Sequence, residues 1–229
     1  MEIAKLGEFG LIEHLTHDIR PQNASTLYGI GDDCAVMHYP DTEVLVTSDM
    51  LMEGIHFDLT YISMRNLGYK SAMVNISDIF AMNGTPRQLI VSIALSKRFT
   101  VEDLEDFYQG LRAACLKWNV DIVGGDTTSS YTGLAISITC IGEAHKEDIV
   151  YRKGAHDTDL ICVSGDLGAA YMGLQLLERE KAVYYQLLNE HQKKHPNEPV
   201  PDFQPDFAGK EYLLQRQLEP DARGDIIQK

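Results

Sequence analysis

The stretch Thr100-Val-Glu-Asp-Leu-Glu-Asp-Phe-Tyr-Gln-Gly-Leu-Arg-Ala-Ala-Cys-Leu-Lys-Trp118, followed by Val120-Asp-Ile-Val-Gly-Gly-Asp-Thr-Thr128, decides the fold class. Val101, Leu104, Phe107, Leu111, Ala114 and Trp118 recur at three- and four-residue steps, the period of an amphipathic helix. Thr100 with Asp103 three residues on is close to a capping box, so the helix has a marked start. Val120–Val123 then reads as a short strand that runs into two glycines and an aspartate. Helix and strand alternate here within thirty residues, which predicts an enzyme-like mixture of α and β.

The same alternation extends outward. Phe9, Ile12, Leu15 and Ile19 share one helical face over residues 7–19. Short strands are expected at 34–37 and 44–47, on either side of a turn at Tyr39-Pro-Asp41. A helix over 64–82 carries Ser71, Ala72, Ser77 and Ala81, small residues that imply close packing. Strands are expected at 89–95, 134–141 and 160–163, and a last helix at about 169–190. A charged stretch, His145-Lys-Glu-Asp148, and Gly154 break the apolar pattern and place a domain boundary near residues 144–157. From His191 onward the chain is polar and rich in proline, an exposed excursion. His191 and His195, beside two lysines, are expected to be solvated.

The chain has 229 residues, 44% of them hydrophobic, and a formal net charge of −14. That balance argues against a nucleic-acid backbone or an anionic membrane as partner. No apolar run reaches the length of a membrane helix, and the N-terminus has no secretory pattern. The four cysteines, Cys34, Cys115, Cys140 and Cys162, are scattered. Buried free thiols in a cytoplasmic protein fit them better than disulfides or zinc.

Chemistry concentrates where apolar runs meet glycine or hydroxyl residues: Gly29-Ile-Gly-Asp-Asp33, Thr47-Ser-Asp49, Ser77-Asp78 and Gly124-Gly-Asp-Thr-Thr128. One Gly-Asp pair is ordinary turn chemistry. Four such groups weigh evenly between turns and a shared site for a hard cation such as magnesium, which prefers oxygen ligands and bridges carboxylates to phosphates. There is no phosphate-binding Gly-Lys-Ser/Thr loop, and Gly29-x-Gly31 lacks the third glycine of a dinucleotide fold. Ser164-Gly-Asp-Leu-Gly168 is either a backbone anion cradle or a plain strand–helix turn. His56, taken alone, reads as structural.

Together with Gly7-Glu-Phe-Gly-Leu-Ile12, Thr47-Ser-Asp-Met-Leu-Met-Glu-Gly-Ile-His-Phe57 and Asn75-Ile-Ser-Asp-Ile-Phe-Ala-Met82, these segments resemble the thiamine-monophosphate kinases, within the superfamily of aminoimidazole ribonucleotide synthetase. The resemblance runs from about residue 7 to about 180. It implies an α+β fold: an N-terminal mixed α/β domain (1–148) whose sheet forms a barrel with that of a second copy, and the beginning of a second α/β domain (149–229). A Pro-rich loop lies at about 191–207. It further implies that Asp33, Thr47, Ser48, Asp49, Asp78 and Asp126 are magnesium ligands. Tyr108, Gly125, Asp126 and Arg152 would hold ATP, and His56 would hold thiamine phosphate, which overturns the structural reading of that histidine. The implied reaction is magnesium-assisted transfer of the ATP γ-phosphoryl group to thiamine phosphate. The pattern departs in one respect: a second acidic motif, Asp-x-Ser-Asp-Gly, is missing after Leu218-Glu-Pro-Asp-Ala-Arg223, which puts activity of these 229 residues alone in doubt. The rivals are another ATP-dependent synthetase of the superfamily and a non-catalytic nucleotide- or metal-binding regulator.

Overall fold

The computed structural model describes residues 3–28, 36–37, 43–151, 154–200 and 202–227. It divides into two compact units, Met1–Cys162 with Asp221–Lys229, and Val163–Pro220.

The first unit is built on a four-stranded sheet. Its strands are β3 (Glu43–Met52), β4 (Thr85–Leu95), β5 (Asp121–Ser129) and β6 (Leu134–Ala144), in the order β3-β6-β4-β5. β6 is antiparallel to both its neighbours, and β4 and β5 run parallel. A separate pair, β1 (Thr26–Tyr28) and β2 (Val36–Met37), precedes it. The sheet is open, with β3 and β5 at its edges.

Helices α2 (Met64–Ala81) and α3 (Val101–Trp118) supply the second layer. α2 lies on β3, β6 and β4, and α3 packs on α2. Leu89, Val91, Ile93, Ile136, Ile138 and Cys140 are buried in the sheet, as are Leu67, Ile76, Leu104 and Leu111 on the helices. The close packing expected for 64–82 has a backbone cause. A Cβ on Gly68 would collide with the Phe107 carbonyl, and one on Gly110 with the Arg65 carbonyl. Two glycines therefore let α2 and α3 touch main chain to main chain. The Thr100–Asp103 capping box is formed in full, and Asn119 ends α3 in the left-handed region. Helix α1 (Ile3–Thr16) buries Leu11 and Leu15 and is interrupted by Gly7.

Several sequence expectations are corrected. The strand expected at 44–47 runs on to Met52, and the one at 120–123 runs on to Ser129. Both continue because β6 and β4 offer partners to residues that locally favour turns. No strand forms at 160–163, where Leu160 and Ile161 are 90% and 96% exposed. Cys162 is accordingly exposed, while Cys115 and Cys140 are buried as expected; Cys34 lies outside the described residues.

In the second unit, α4 (Ala169–Lys194) is longer than expected and stops just before Pro196, so the irregular stretch begins at His195. α4 crosses α5 (Glu211–Leu218) where Gly173 meets the Leu213 carbonyl. Its described residues hold helices and no strand. Helix α6 (Gly224–Ile227) belongs to the first unit, where Gly224 lies against the Phe80 ring. No helix among the described residues is long and apolar enough to cross a membrane.

Candidate functional site

Strand alternation sends Thr47 and Asp49 of β3 to the helix-covered side of the sheet. There α2 presents Asn75 and Asp78, three residues apart and so on one helical face. The Thr47 hydroxyl donates to Asp78 Oδ2 (2.8 Å), and the Asp49 N–H donates to Asn75 Oδ1 (3.0 Å). Asn75 is fully buried, and its Nδ2 donates to the Ser71 carbonyl (3.1 Å), which fixes the amide's orientation. Burial raises the Asp49 carboxyl above its ordinary range. The Asp78 charge raises it further, and His56 acts in the opposite sense. Two anions held this way repel each other, and a cation between them would relieve the repulsion.

β3 ends in a tight loop that carries His56. Gly54 sits at φ 78°, and its N–H donates to the Phe57 carbonyl (2.8 Å). The His56 N–H donates to the Met52 carbonyl (2.9 Å), and the Met52 N–H donates to His56 Nδ1 (2.9 Å). A neutral His56 ring in this arrangement carries its proton on Nε2.

The remaining expected residues lie elsewhere. Ser48 faces the open side of the sheet, accepting from the Thr139 hydroxyl (3.0 Å). Asp126, on β5 at the opposite edge from β3, is exposed and is paired in register with Ser92 of β4. Three strand spacings, about 14 Å, separate those edges within one chain. Gly125 has a structural reason of its own, because a Cβ there would collide with the Val91 carbonyl. Tyr108 is buried on α3, edge-on to Phe107 (ring centroids 5.7 Å), and burial pushes its phenol up to about 12. Asp33 and Arg152 lie outside the described residues. Among the described residues, no three His, Cys, Asp or Glu side chains gather as an ion cage.

Thr47, Asp49, Asp78 and the His56 loop are thus brought together, while Ser48, Asp126 and Tyr108 are apart from them. Two residues given no role in the sequence matter here, Asn75 within the cluster and Glu53 at the base of the His56 loop. Asn75 was legible as the residue one helical turn before Asp78; nothing local marks Glu53.

The family model for AIR synthase related protein, N-terminal domain, matches residues 31–144. The thiamine-monophosphate kinase of Bacillus subtilis is 36% identical over 179 residues, covering 76% of this chain and 54% of that protein. That of Aquifex aeolicus is 35% identical over 227 residues, covering 99% and 64%. The solved structure of AaThiL complexed with AMPPCP and TMP matches with a TM-score of 0.67 at 33% identity, covering 100% of this chain and 63% of that one. The matched family model and the fold together define an AIR synthase-related protein. Within that class, the chain belongs to the thiamine-monophosphate kinase family. It spans between about half and two-thirds of the length of these relatives.

Proposed function

We propose that this chain is the nucleotide- and metal-binding part of a kinase that moves the γ-phosphoryl group of ATP onto the phosphate of thiamine phosphate, giving thiamine diphosphate and ADP. The observation that carries it is the Asp49–Asp78 pair, with the Asp49 N–H held by Asn75 and the Asp78 carboxylate accepting from the Thr47 hydroxyl. Two carboxylates with a neighbouring hydroxyl fit magnesium, which keeps several waters and needs only one or two protein carboxylates beside substrate phosphates. Asp49, Asp78 and Thr47 would hold the ion, with Asp33, Ser48 and Asp126 as the further ligands implied by the family. When bound, magnesium neutralises phosphate charge and so lowers the repulsion between two polyanions.

The chain's own groups have separate tasks. A phosphate monoester has its second pKa near ~6, so the acceptor is already anionic at neutral pH and no general base is required. The Nε2–H of His56 can donate to a phosphate oxygen of thiamine phosphate. Arg152 would pair with the ATP phosphates as a planar fork. Gly125 and Asp126 would line the nucleotide site. Tyr108 serves there as a neutral wall, since burial keeps its phenol protonated.

A homodimer completes the site. Among the described residues no further strand pairs with the outer edge of β3 or β5, and Val46 and Met50 of β3 are 63% and 59% exposed on the uncovered face. A second copy whose β5 pairs with this β3 would close over that face and bring its own Asp126 to this edge, on the side that Ser48 shares. Residues 1–148 would then be the catalytic and dimerising domain, and residues from 149 the start of a second domain, in a cytoplasmic enzyme. The test is direct: native protein, ATP, magnesium and thiamine phosphate should yield thiamine diphosphate and ADP. Absence of that product, or equal turnover of unphosphorylated thiamine, overturns the assignment.

A further inference from the structure

Glu53 is the first residue after β3, three before His56, and both its main chain and its side chain are engaged. Its N–H donates to the Leu134 carbonyl (3.0 Å), and its Oε2 accepts from the Leu134 N–H (2.8 Å). Its other oxygen, Oε1, is paired with the Arg98 guanidinium, which lies over the Phe99 ring at 4.7 Å. Gly133, at φ 69°, leaves just enough room: a Cβ there would stand 2.8 Å from Glu53 Oε2. The carboxylate therefore joins three segments, the end of β3, the start of β6 and the residues entering α3.

The next residues close on themselves. Gly54 bonds Phe57, Ile55 and His56 bond the Met52 carbonyl, and Met52 returns its N–H to His56 Nδ1. Among the described residues, the hydrogen bonds from that loop to the sheet run through Glu53, which pairs with Leu134, and Met52, which pairs with Ala135 of β6. We infer that the Glu53–Arg98 pair is a positioning device that anchors this loop to β6 and so holds the His56 ring with its Nε2–H toward the phosphate of the acceptor. The inference rests on the substrate role of His56 proposed above, and its test separates the two.

Full-length protein carrying ¹⁵N-histidine, studied well above the pH range in which histidine titrates, reports the ring tautomer directly. The unmodified protein should show His56 as a single tautomer with a bare, accepting Nδ1. Glu53→Ala should give a mixture of tautomers, and the KM for thiamine phosphate should rise by roughly five- to tenfold with kcat and the KM for ATP nearly unchanged. Arg98→Met, which keeps the Leu134 bond, should move the same signals in the same direction by less, and stands in if Glu53→Ala does not fold. In a His56→Ala background, Glu53→Ala should add no further rise in KM. An unaltered tautomer in both variants overturns the inference, as does an equal rise in KM with His56 absent. If His56→Ala itself leaves KM unmoved, the substrate role falls and the ring spectra decide the anchoring by themselves.

Discussion

Strands β3 and β6 lie side by side under the same helix, yet they are patterned in opposite senses. On the helix-covered side, β6 places Ile136, Ile138 and Cys140, all fully buried. Their partners in register on β3 are Leu51, Asp49 and Thr47. On the other side β3 carries Val44, Val46, Met50 and Met52, all substantially exposed, opposite Glu143, Ile141, Ser137 and Ala135. β3 is polar where a core is expected and apolar where water is expected. Burial of apolar area stabilises the fold and burial of carboxylates opposes it, so this inversion costs stability in the isolated chain. Its two halves have separate explanations: the polar half faces Asn75 and Asp78, where the proposed function places a cation, and the apolar half is left uncovered by the described residues.

The largest effect should come from the polar half. Asp49→Asn removes a charge and little volume, and in full-length protein turnover should fall by about two orders of magnitude or more, because the ion that screens the phosphates loses a ligand. The fold should be retained, as read by near-ultraviolet circular dichroism. Near-normal turnover at ordinary magnesium concentration would sink the metal assignment.

How far β3 was legible follows from the same inversion. The strand was expected at 44–47 alone, since Ser48-Asp49 followed by Met-Leu-Met has neither the alternation of a half-buried strand nor the run of a buried one. Sheet pairing with β6 decided the matter. The strand expected at 120–123 stops short of Gly124-Gly-Asp126, and pairing with β4 carries it on to Ser129. Helix α3 was legible throughout, because its cap and its apolar spacing agree. Residues 160–163 misled in the reverse direction: the apolar run is there, but no described strand pairs with it. That Thr47, Asp49 and Asp78 meet could be expected from their types; that Asp126 stands on the far edge required the strand order.

The comparison sharpens further if each strand is altered on its apolar face. Ile138→Ala on β6 leaves a cavity under α2 and should cost about 2–5 kcal/mol of stability, measured by denaturant unfolding, with turnover per folded molecule little changed. Val46→Lys on β3 should behave differently. The residue is exposed in the single chain, so folding should be almost unaffected. Association should weaken by at least about tenfold, since a charge would enter a covered apolar face. Light scattering at micromolar concentration should then show the single-chain mass for the variant and twice that mass for the unmodified protein. A unmodified protein already at single-chain mass would end the case for a second copy as the cover.

The smallest effect concerns the cost of Asp49 itself. Burial and the Asp78 charge raise its carboxyl in the folded chain, with His56 partly opposing them. A carboxyl raised on folding contributes stability that is fully present below the unfolded value, near 3.8, and is lost as pH rises through the folded value. At neutral pH without magnesium, the ionised group is therefore a net burden. Asp49→Asn removes that burden, so the variant that has lost turnover should melt higher than the unmodified protein in the presence of a chelator. The site is partly open to solvent, so screening keeps the gain small, about 1–3 °C. The gain should shrink as pH is lowered toward the ordinary aspartate range, where the unmodified carboxyl takes up its proton. Added magnesium should reverse the order, raising the melting temperature of the unmodified protein and leaving the variant nearly unmoved. A variant that melts lower than the unmodified protein in chelator at neutral pH would mean that Asp49 makes a net favourable contact without any ion, and β3 would not be inverted at a cost.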